Sequence, residues 1–341
     1  MEKMKISVVI PCRNESKHIE ECIDAIYSSD GLQEVELNVF VVDGMSDDGT
    51  REILQRQMTK YNSLHCIDNK AQTTPNAFNL GINEVNFDYL LIVGARHILS
   101  PNYLGLCLKT LVDNSDIWCV GGQLKYEFTT EKSWIISKAM STSFGMGIGN
   151  FRTLNKSGFT DTVTSPMYPK HVFEQIGLFD EKLMRNQDDD FNYRLTKAGG
   201  KIWFSSEISL KYYVRSTFKQ ASRQFFQYGY WKVFVNRKHK RITSMRQLIP
   251  PFFVLFLLLI PLFIYVSIYS CIISLSLLGF YAGLNLLFSI IHGELNPGRI
   301  IGMVSTYFII HLSYGFGYLR GILDFIILRR NPSKQQQVLT R

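Results

Sequence analysis

Hydrophobic and polar residues along the first third of the chain fall in blocks rather than singly. Short apolar runs at Ile6–Ile10, Val39–Val42, Leu64–Asp68 and Tyr89–Val93 each stop at polar residues, with mixed segments of helical length between them. Such runs suit strands buried on both faces, and strands alternating with helices predict a largely parallel α/β sheet. Ser16 is placed to cap a helix running to about Ser28, and Asp48 another running to about Lys60. Further helices are expected from about Pro75 to Ile82 and from Pro101, with another strand over Trp118–Gly121. Residues 123–165, rich in glycine around Gly145, Gly147 and Gly149, predict no firm element.

The pattern changes near residue 246. From Pro250 to Ile291 there is no Asp, Glu, Lys or Arg. One membrane helix takes about 20 apolar residues, so this run suits a tight hairpin that crosses twice. A second apolar stretch, Ile300–Leu328, contains His311, Arg320 and Asp324. It either spans, or lies at the interface with Arg320 and Asp324 paired one turn apart. The expected organisation is a globular domain over residues 1–245 and an anchoring region over 246–328, with its hairpin at about 250–291 and a third apolar segment at about 300–328. A basic polar tail follows over 329–341.

The strand ends carry the chemistry. Pro11 closes the first strand and leaves Arg13, Asn14 and Glu15 at its tip; Asp43 closes the second, and Gly44 and Gly49 flank a tight turn before a helix. Ligands of open α/β sheets gather just past the carboxyl ends of the strands. Carboxylates beside amide and guanidinium groups suit a base and a ribose, so this rim reads as a nucleotide site.

Pro11 to Glu15 fits the pattern Pro-x-x-Asn-Glu, and Val42 to Thr50 fits Val-Asp-x-x-Ser-x-Asp-Gly-Thr. On these residues the chain resembles the family 2 glycosyltransferases, inverting enzymes of the GT-A fold. Within that family it is most similar to membrane-anchored enzymes of bacterial exopolysaccharide assembly, the succinoglycan type, from about Lys5 to about Leu328. The bland alternative is an ordinary doubly wound domain with coincident turn residues. The resemblance implies donor contacts at Pro11, Arg13, Asn14, Glu15, Asp43, Ser46, Asp48 and Arg96. It also implies a nucleoside diphosphate sugar as donor and a lipid-linked or polysaccharide acceptor, at the cytoplasmic face of a bacterial inner membrane.

Two departures from the family pattern matter. Where the family carries Asp-x-Asp or Asp-Ala-His, this chain has Gly94-Ala95-Arg96. A divalent metal, Mg²⁺ or Mn²⁺, wants oxygen ligands there to neutralise the leaving diphosphate. Three readings stay open: Arg96 clamps the phosphates instead, His97 with a neighbouring carboxylate holds a weaker metal, or donor chemistry has been lost. Further on, the family's Glu-Asp pair reads Gln187-Asp188. The resemblance makes Asp188 the base that takes the proton of the acceptor hydroxyl. Without it, Asp188, Asp189 and Asp190 would simply suit a helix N-terminus. Gly177, Phe179 and Asp180 just upstream read as a structural turn.

The segment Arg223 to Lys232 fits Arg-Gln-x-x-x-Tyr-Gly-x-x-Lys of the related group, which implies acceptor or diphosphate contacts from Arg223, Gln224, Tyr228 and Lys232. It also suits an amphipathic helix on the bilayer. Processive synthases carry Gln-x-x-Arg-Trp here; Gln227 in place of that Arg argues against a polymerase. The rival from another class is a non-catalytic GT-A-fold membrane protein that binds nucleotide sugar or lipid-linked glycan without turnover.

The formal charge of +8 points to lipid rather than nucleic acid. Much of it lies beside the apolar segments, in Arg237–Arg241, Arg246 and the tail, where basic residues meet anionic headgroups, and no nucleic-acid or zinc motif accompanies it. Basic flanks mark the cytoplasmic side, which favours an even number of crossings with the last segment interfacial or re-entrant. Six cysteines without C-x-x-C spacing read as reduced, mostly buried thiols. The first five residues lead straight into a strand, with no cleavable signal peptide expected.

Overall fold

The computed structural model describes residues 3–128, 130–147, 151–214 and 217–332. Gly149 of the glycine-rich stretch and residues 333–341 of the basic tail lie outside the described residues. In chain order the elements are β1 (Met4–Cys12), α1 (Ile19–Tyr27), β2 (Val35–Asp43), α2 (Thr50–Lys60), β3 (Leu64–Asp68) and α3 (Thr74–Glu84). Then come β4 (Tyr89–Ile92), β5 (His97–Leu99), α4 (Tyr103–Asp113), β6 (Ile117–Glu127), α5 (Glu131–Met140) and α6 (Ser143–Met146). They are followed by β7 (Gly158–Phe159), β8 (Thr164–Pro169), α7 (Lys170–Ile176), α8 (Gln187–Lys197) and β9 (Lys201–Tyr213). The helices α9 (Phe218–His239), α10 (Ile249–Val266), α11 (Ile268–His292) and α12 (Pro297–Gly321) close the order, and α12 runs on as a π-helical turn over Ile322–Ile327.

The chain divides into two compact units: Met1–Glu127 with Leu154–Tyr213, and Phe128–Thr153 with Val214–Arg341. This cut differs from a single domain over 1–245. The reason is local: Ile135 on α5 packs on Gly302 of α12, Thr142 hydrogen-bonds Tyr307 at 3.1 Å, and Phe144 stacks on Phe288. Those contacts tie α5 and α6 to the C-terminal helices.

In the first unit one nine-stranded sheet runs β3-β2-β1-β4-β8-β6-β9-β5, with β7 paired to β9. The strands foreseen from the apolar runs, β1 to β4, pair in parallel. Ile6 to Ile10 are buried without alternation, as a strand covered on both faces requires. Beyond β4 the sheet turns mixed, because β8 lies antiparallel to both β4 and β6. The helix α3 approaches β1 so closely that a Cβ at Gly81 would sit 2.5 Å from Cγ1 of Val9, so only glycine fits. Ser16 caps nothing, contrary to expectation: α1 starts at Ile19, and the Ser16 N–H is taken by Asp48. All six cysteines are free, with Cys66 exposed and Cys271 part-exposed.

Among the described residues of the second unit, three helices are long and apolar enough to cross a membrane: Met245–Val266, Ile268–His292 and Pro297–Ile327. The third apolar segment thus meets that standard of length and composition, as does the hairpin. Arg320 and Asp324 are paired one turn apart, Nε to Oδ2 at 3.1 Å.

Candidate active site

The parallel register sets Cys12 beside Asp43, so the loops after β1 and β2 leave the sheet side by side. They are laced together by hydrogen bonds. Asn14, in the left-handed region at φ 54°, donates its N–H to Ser46 Oγ at 2.8 Å. Its amide pairs reciprocally with Asp47, donating to Oδ1 at 2.8 Å and accepting the Asp47 N–H at 3.0 Å. Thr50 Oγ1 accepts the Glu15 N–H at 2.9 Å. The Asp48 carboxylate takes the N–H groups of Ser16 at 3.2 Å and Thr50 at 3.1 Å. Burial pushes the Asp48 carboxyl up, but the hydrogen bonds from Thr50 and Ser16 outweigh it and hold it down at about 2.

Asp43 is fully buried and engaged from two sides. Its carboxylate accepts the Ser46 N–H at 3.0 Å and the Ser46 hydroxyl, and Arg51 Nε binds Oδ2 at 2.8 Å. Arg51 also reaches Asp68, the last residue of β3 and the register partner of Asp43. Sequence reasoning missed Arg51. The available signal was Asp43 itself, since a carboxylate ending a buried strand calls for a cation, and Arg51 opens the helix that follows. Arg13 lays its aliphatic stem against Gly44, where a Cβ would lie 3.0 Å from Cδ, and its Nε is buried without a hydrogen-bond partner.

At the end of β4 the residues 94–97 form a tight turn, closed by the His97 N–H to Gly94 O at 2.8 Å. Arg96 Nε binds Glu15 Oε2 at 2.7 Å, which joins the tip of β4 to the tip of β1. Burial lowers the Arg96 pKa, yet the Glu15 carboxylate outweighs it and raises it overall. The pair brings together two residues the sequence placed in different motifs. His97 Nδ1 contacts Ser165 Oγ at 2.8 Å and accepts the Gly94 N–H at 3.3 Å.

The position of the family's metal motif does not itself supply a ligand: Gly94 has no side chain, and a Cβ there would lie 3.1 Å from the His97 ring. His97 Nδ1 is engaged by protein groups, and among the described residues no group of three or more His, Cys, Asp or Glu side chains is placed to hold a metal ion.

Asp188 lies in the first turn of α8 and is exposed. Its charge reaches the buried Tyr168 of β8, whose hydroxyl is pushed up first by burial and also by Asp188. The other two acids have structural work. Asp190 is buried and pairs with Arg194 at 3.1 Å, and Arg194 in turn donates to the carbonyls of Ile176 and Leu178. Asp189 accepts from Asn186 at 2.8 Å. Asn79 of α3 fastens the same turn, exchanging hydrogen bonds with the Phe179 backbone at 2.9 and 3.0 Å. The base of α8 is thus pinned on both sides, and Gln187 Oε1 is buried there with no hydrogen bond.

Arg223, Gln224, Tyr228 and Lys232 stand on α9, in the second unit. Gln224 donates to the Tyr228 hydroxyl at 2.7 Å, and Lys232 is buried. This helix runs beside α12 with Gly229 and Gly317 at the contact, where added Cβ atoms would strike the carbonyls of Tyr314 and Phe226.

The model of the family "Glycosyl transferase family 2" matches residues 7–177. Succinoglycan biosynthesis protein ExoA of Rhizobium meliloti is 27% identical over 326 residues, 93% of this chain and 95% of that protein. The dolichyl N-acetyl-alpha-D-glucosaminyl phosphate 3-beta-D-2,3-diacetamido-2,3-dideoxy-beta-D-glucuronosyltransferase of Methanococcus voltae is 29% identical over 240 residues, 68% of this chain and 74% of its own. Among solved structures, the mannosyltransferase PcManGT of Pyrobaculum calidifontis, in complex with GDP-Man and Mn²⁺, superposes with a TM-score of 0.61 at 14% identity. It covers 94% of this chain and 88% of its own, and so shares the GT-A-like fold.

Proposed function

The chain belongs to glycosyl transferase family 2, and on that premise we propose that it moves one sugar, with inversion, from a nucleoside diphosphate sugar to a lipid-linked or growing glycan acceptor. One observation carries the reading: the tips of β1, β2 and β4 are bound into a single rim by Asn14–Ser46, Ser46–Asp43 and Arg96–Glu15. A rim at the carboxyl ends of parallel strands is where such sheets hold nucleotides. The GDP-Man bound to PcManGT supports the donor class, and the dolichyl-linked substrate named for the Methanococcus enzyme supports the acceptor class.

Asp188 takes the proton as the acceptor hydroxyl attacks the anomeric carbon. The bond from that carbon to the phosphate oxygen breaks, and the nucleoside diphosphate leaves with the electron pair. Glu15 engages Arg96 through Nε alone, which leaves the terminal guanidinium nitrogens to face the diphosphate. Glu15 acts here as a positioning residue. The apolar helices would hold the enzyme on the cytoplasmic face of a bacterial membrane, beside a lipid-borne acceptor.

The test is a panel of nucleotide sugars offered to the detergent-purified protein, with transfer and slow hydrolysis both measured. The reading expects nucleoside diphosphate release from one donor, abolished by Asp43→Ala. Failure of every donor to bind by calorimetry or to turn over would overturn it and leave the non-catalytic alternative.

A further inference from the structure

The end of α12 carries charge where most of the helix has none. From Ile300 to Leu328 the only Asp, Glu, Lys or Arg residues are Arg320 and Asp324. Asp324 is 4% exposed and meets α9, where its Oδ2 accepts the Tyr230 hydroxyl at 3.0 Å and Arg320 Nε at 3.1 Å. Arg320 itself is half-exposed. Because the acid holds it through Nε, its terminal nitrogens are left as an outward fork. Phe316, Arg320 and Leu323 follow at helical spacing, so one exposed face of α12 runs apolar, cationic, apolar.

The helix then widens into the π-helical turn Ile322–Ile327, closed by the Leu328 N–H on the Leu323 carbonyl at 2.8 Å. The Arg330 N–H donates to the Asp324 carbonyl at 2.7 Å, with Arg329 in the left-handed region at φ 51°. A helix stop of this kind usually has glycine at the left-handed position. Here an arginine takes it, and the closure folds 329–330, both exposed, back onto the turn that carries Asp324. Ile326, Ile327 and Leu328 are exposed as well. Three arginines thus share the last turns of the helix with one buried carboxylate, among bare apolar side chains. The helix dipole accounts for cations at this end, but not for a buried acid that orients one of them.

A charge on an apolar face is costly unless it meets a counter-charge, and this part of the chain has no acid to spare. From Val214 onward the only acids are Glu294 and Asp324, and Glu294 is bound to Arg299. A second copy seated on this face would bring arginine against arginine. A guanidinium fork matches two oxygens of a phosphate, and the apolar flanks match acyl chains.

We propose that the end of α12 binds the phosphate of an anionic glycerophospholipid. Arg320 is the clamp, Asp324 positions it, and Arg329 and Arg330 add the attraction for net negative charge. This is a saturable site of defined residues, beyond the general pull of a basic flank on headgroups. It does not depend on the catalytic reading.

The experiment titrates phosphatidylglycerol into the full, delipidated chain in dodecyl maltoside and counts bound lipid by native mass spectrometry. One phosphatidylglycerol should bind saturably, several-fold more tightly than phosphatidylcholine, and inorganic phosphate at equal concentration should not displace it. Arg320→Gln should weaken binding by about fivefold, and Arg320→Lys by less, since it keeps the charge and loses the fork. Arg329→Gln/Arg330→Gln should reduce the preference over phosphatidylcholine. Lys219→Gln, at the opposite end of α9, should change little. Asp324→Asn separates an oriented site from diffuse attraction. Diffuse attraction makes binding tighter once the negative charge is gone, whereas the oriented site loses affinity several-fold. Melting in lipid-free detergent selects the variants that are folded, and Arg320→Lys with the 329–330 pair carries the test if Arg320→Gln is not. Unchanged or tighter binding by folded Asp324→Asn would overturn the proposal. So would wild-type affinity in the Arg320 variants, an unchanged preference in the 329–330 pair, an equal loss in Lys219→Gln, or displacement of the lipid by phosphate.

Discussion

Arg96→Ala separates what this arginine does for the fold from what it does for the reaction. Its Nε lies 2.7 Å from Glu15 Oε2, with Arg96 36% and Glu15 17% exposed. Two unit charges about 4 Å apart attract by about 4 kcal/mol at an effective dielectric of about 20. Solvent on the more exposed partner and the cost of ordering two long side chains reduce this to about 1–2 kcal/mol net. Removing Arg96 should therefore lower stability by about 1–2 kcal/mol, including the cost of leaving Glu15 unpaired. Loss of a preorganised donor to the charge that develops on the leaving group costs about 3–4 kcal/mol, a factor of about 10²–10³ in kcat.

The two effects are read separately, by urea unfolding and by single-turnover transfer in EDTA. Adding Glu15→Gln removes the orphaned charge, so Arg96→Ala/Glu15→Gln should regain part of the stability and none of the turnover. Arg96→Lys should fall between, since it keeps the charge and loses the fork. Turnover of Arg96→Ala within tenfold of wild type, or wild-type transfer that stops in the chelator, would refute the assignment.

Asp188→Asn should cut transfer by at least about 10²-fold, the usual contribution of a positioned base, while donor affinity by calorimetry stays within a few-fold; parallel loss of both would indicate a folding role. The Asp48 carboxyl is held at about 2 in the fold, below the roughly 3.9 of an unfolded chain. Its contribution is therefore complete above about pH 4 and is lost as pH falls towards 2. Asp48→Asn should flatten that part of a urea-midpoint profile, and an unchanged slope would count against the hydrogen-bond account. Gly81→Val must displace Val9 by more than an ångström and should cost about 1–3 kcal/mol in the same unfolding assay; a neutral result would mean α3 shifts freely on the sheet.

The parallel half of the sheet was legible because its strands are apolar on both faces, so β1 to β4 stand out as uninterrupted runs. The other half was not. β9 is thirteen residues long but is interrupted by polar positions such as Ser205, Glu207 and Lys211, and β5 and β7 are only three and two residues long. Residues 128–153 gave no signal because their partners, such as Gly302 and Tyr307, lie far away in sequence. In the rim, motif spacing placed Asn14, Glu15, Asp43 and Ser46 together. It could not show that Arg96 closes on Glu15, an ion pair 81 residues apart, or that Arg51 shares Asp43 and Asp68.

The departures from the family pattern are best weighed as charge. In the resembling group an Asp-Ala-His motif, a Glu before the base and a divalent cation sum to about zero at the reacting diphosphate. Here Gly94, Arg96 and Gln187 sum to +1 with no metal counted. Decay of a metal site would discard the carboxylates in any order and need not add a cation. In this chain two acids are absent, an arginine stands at the third motif position, and Glu15 fixes its direction. Each change compensates another only if the diphosphate is still bound and still leaves. On the proposed reading the combination leaves Arg96 to meet the diphosphate charge, and the chelator experiment with Arg96→Ala decides between that, a metal-assisted enzyme and a silent relic.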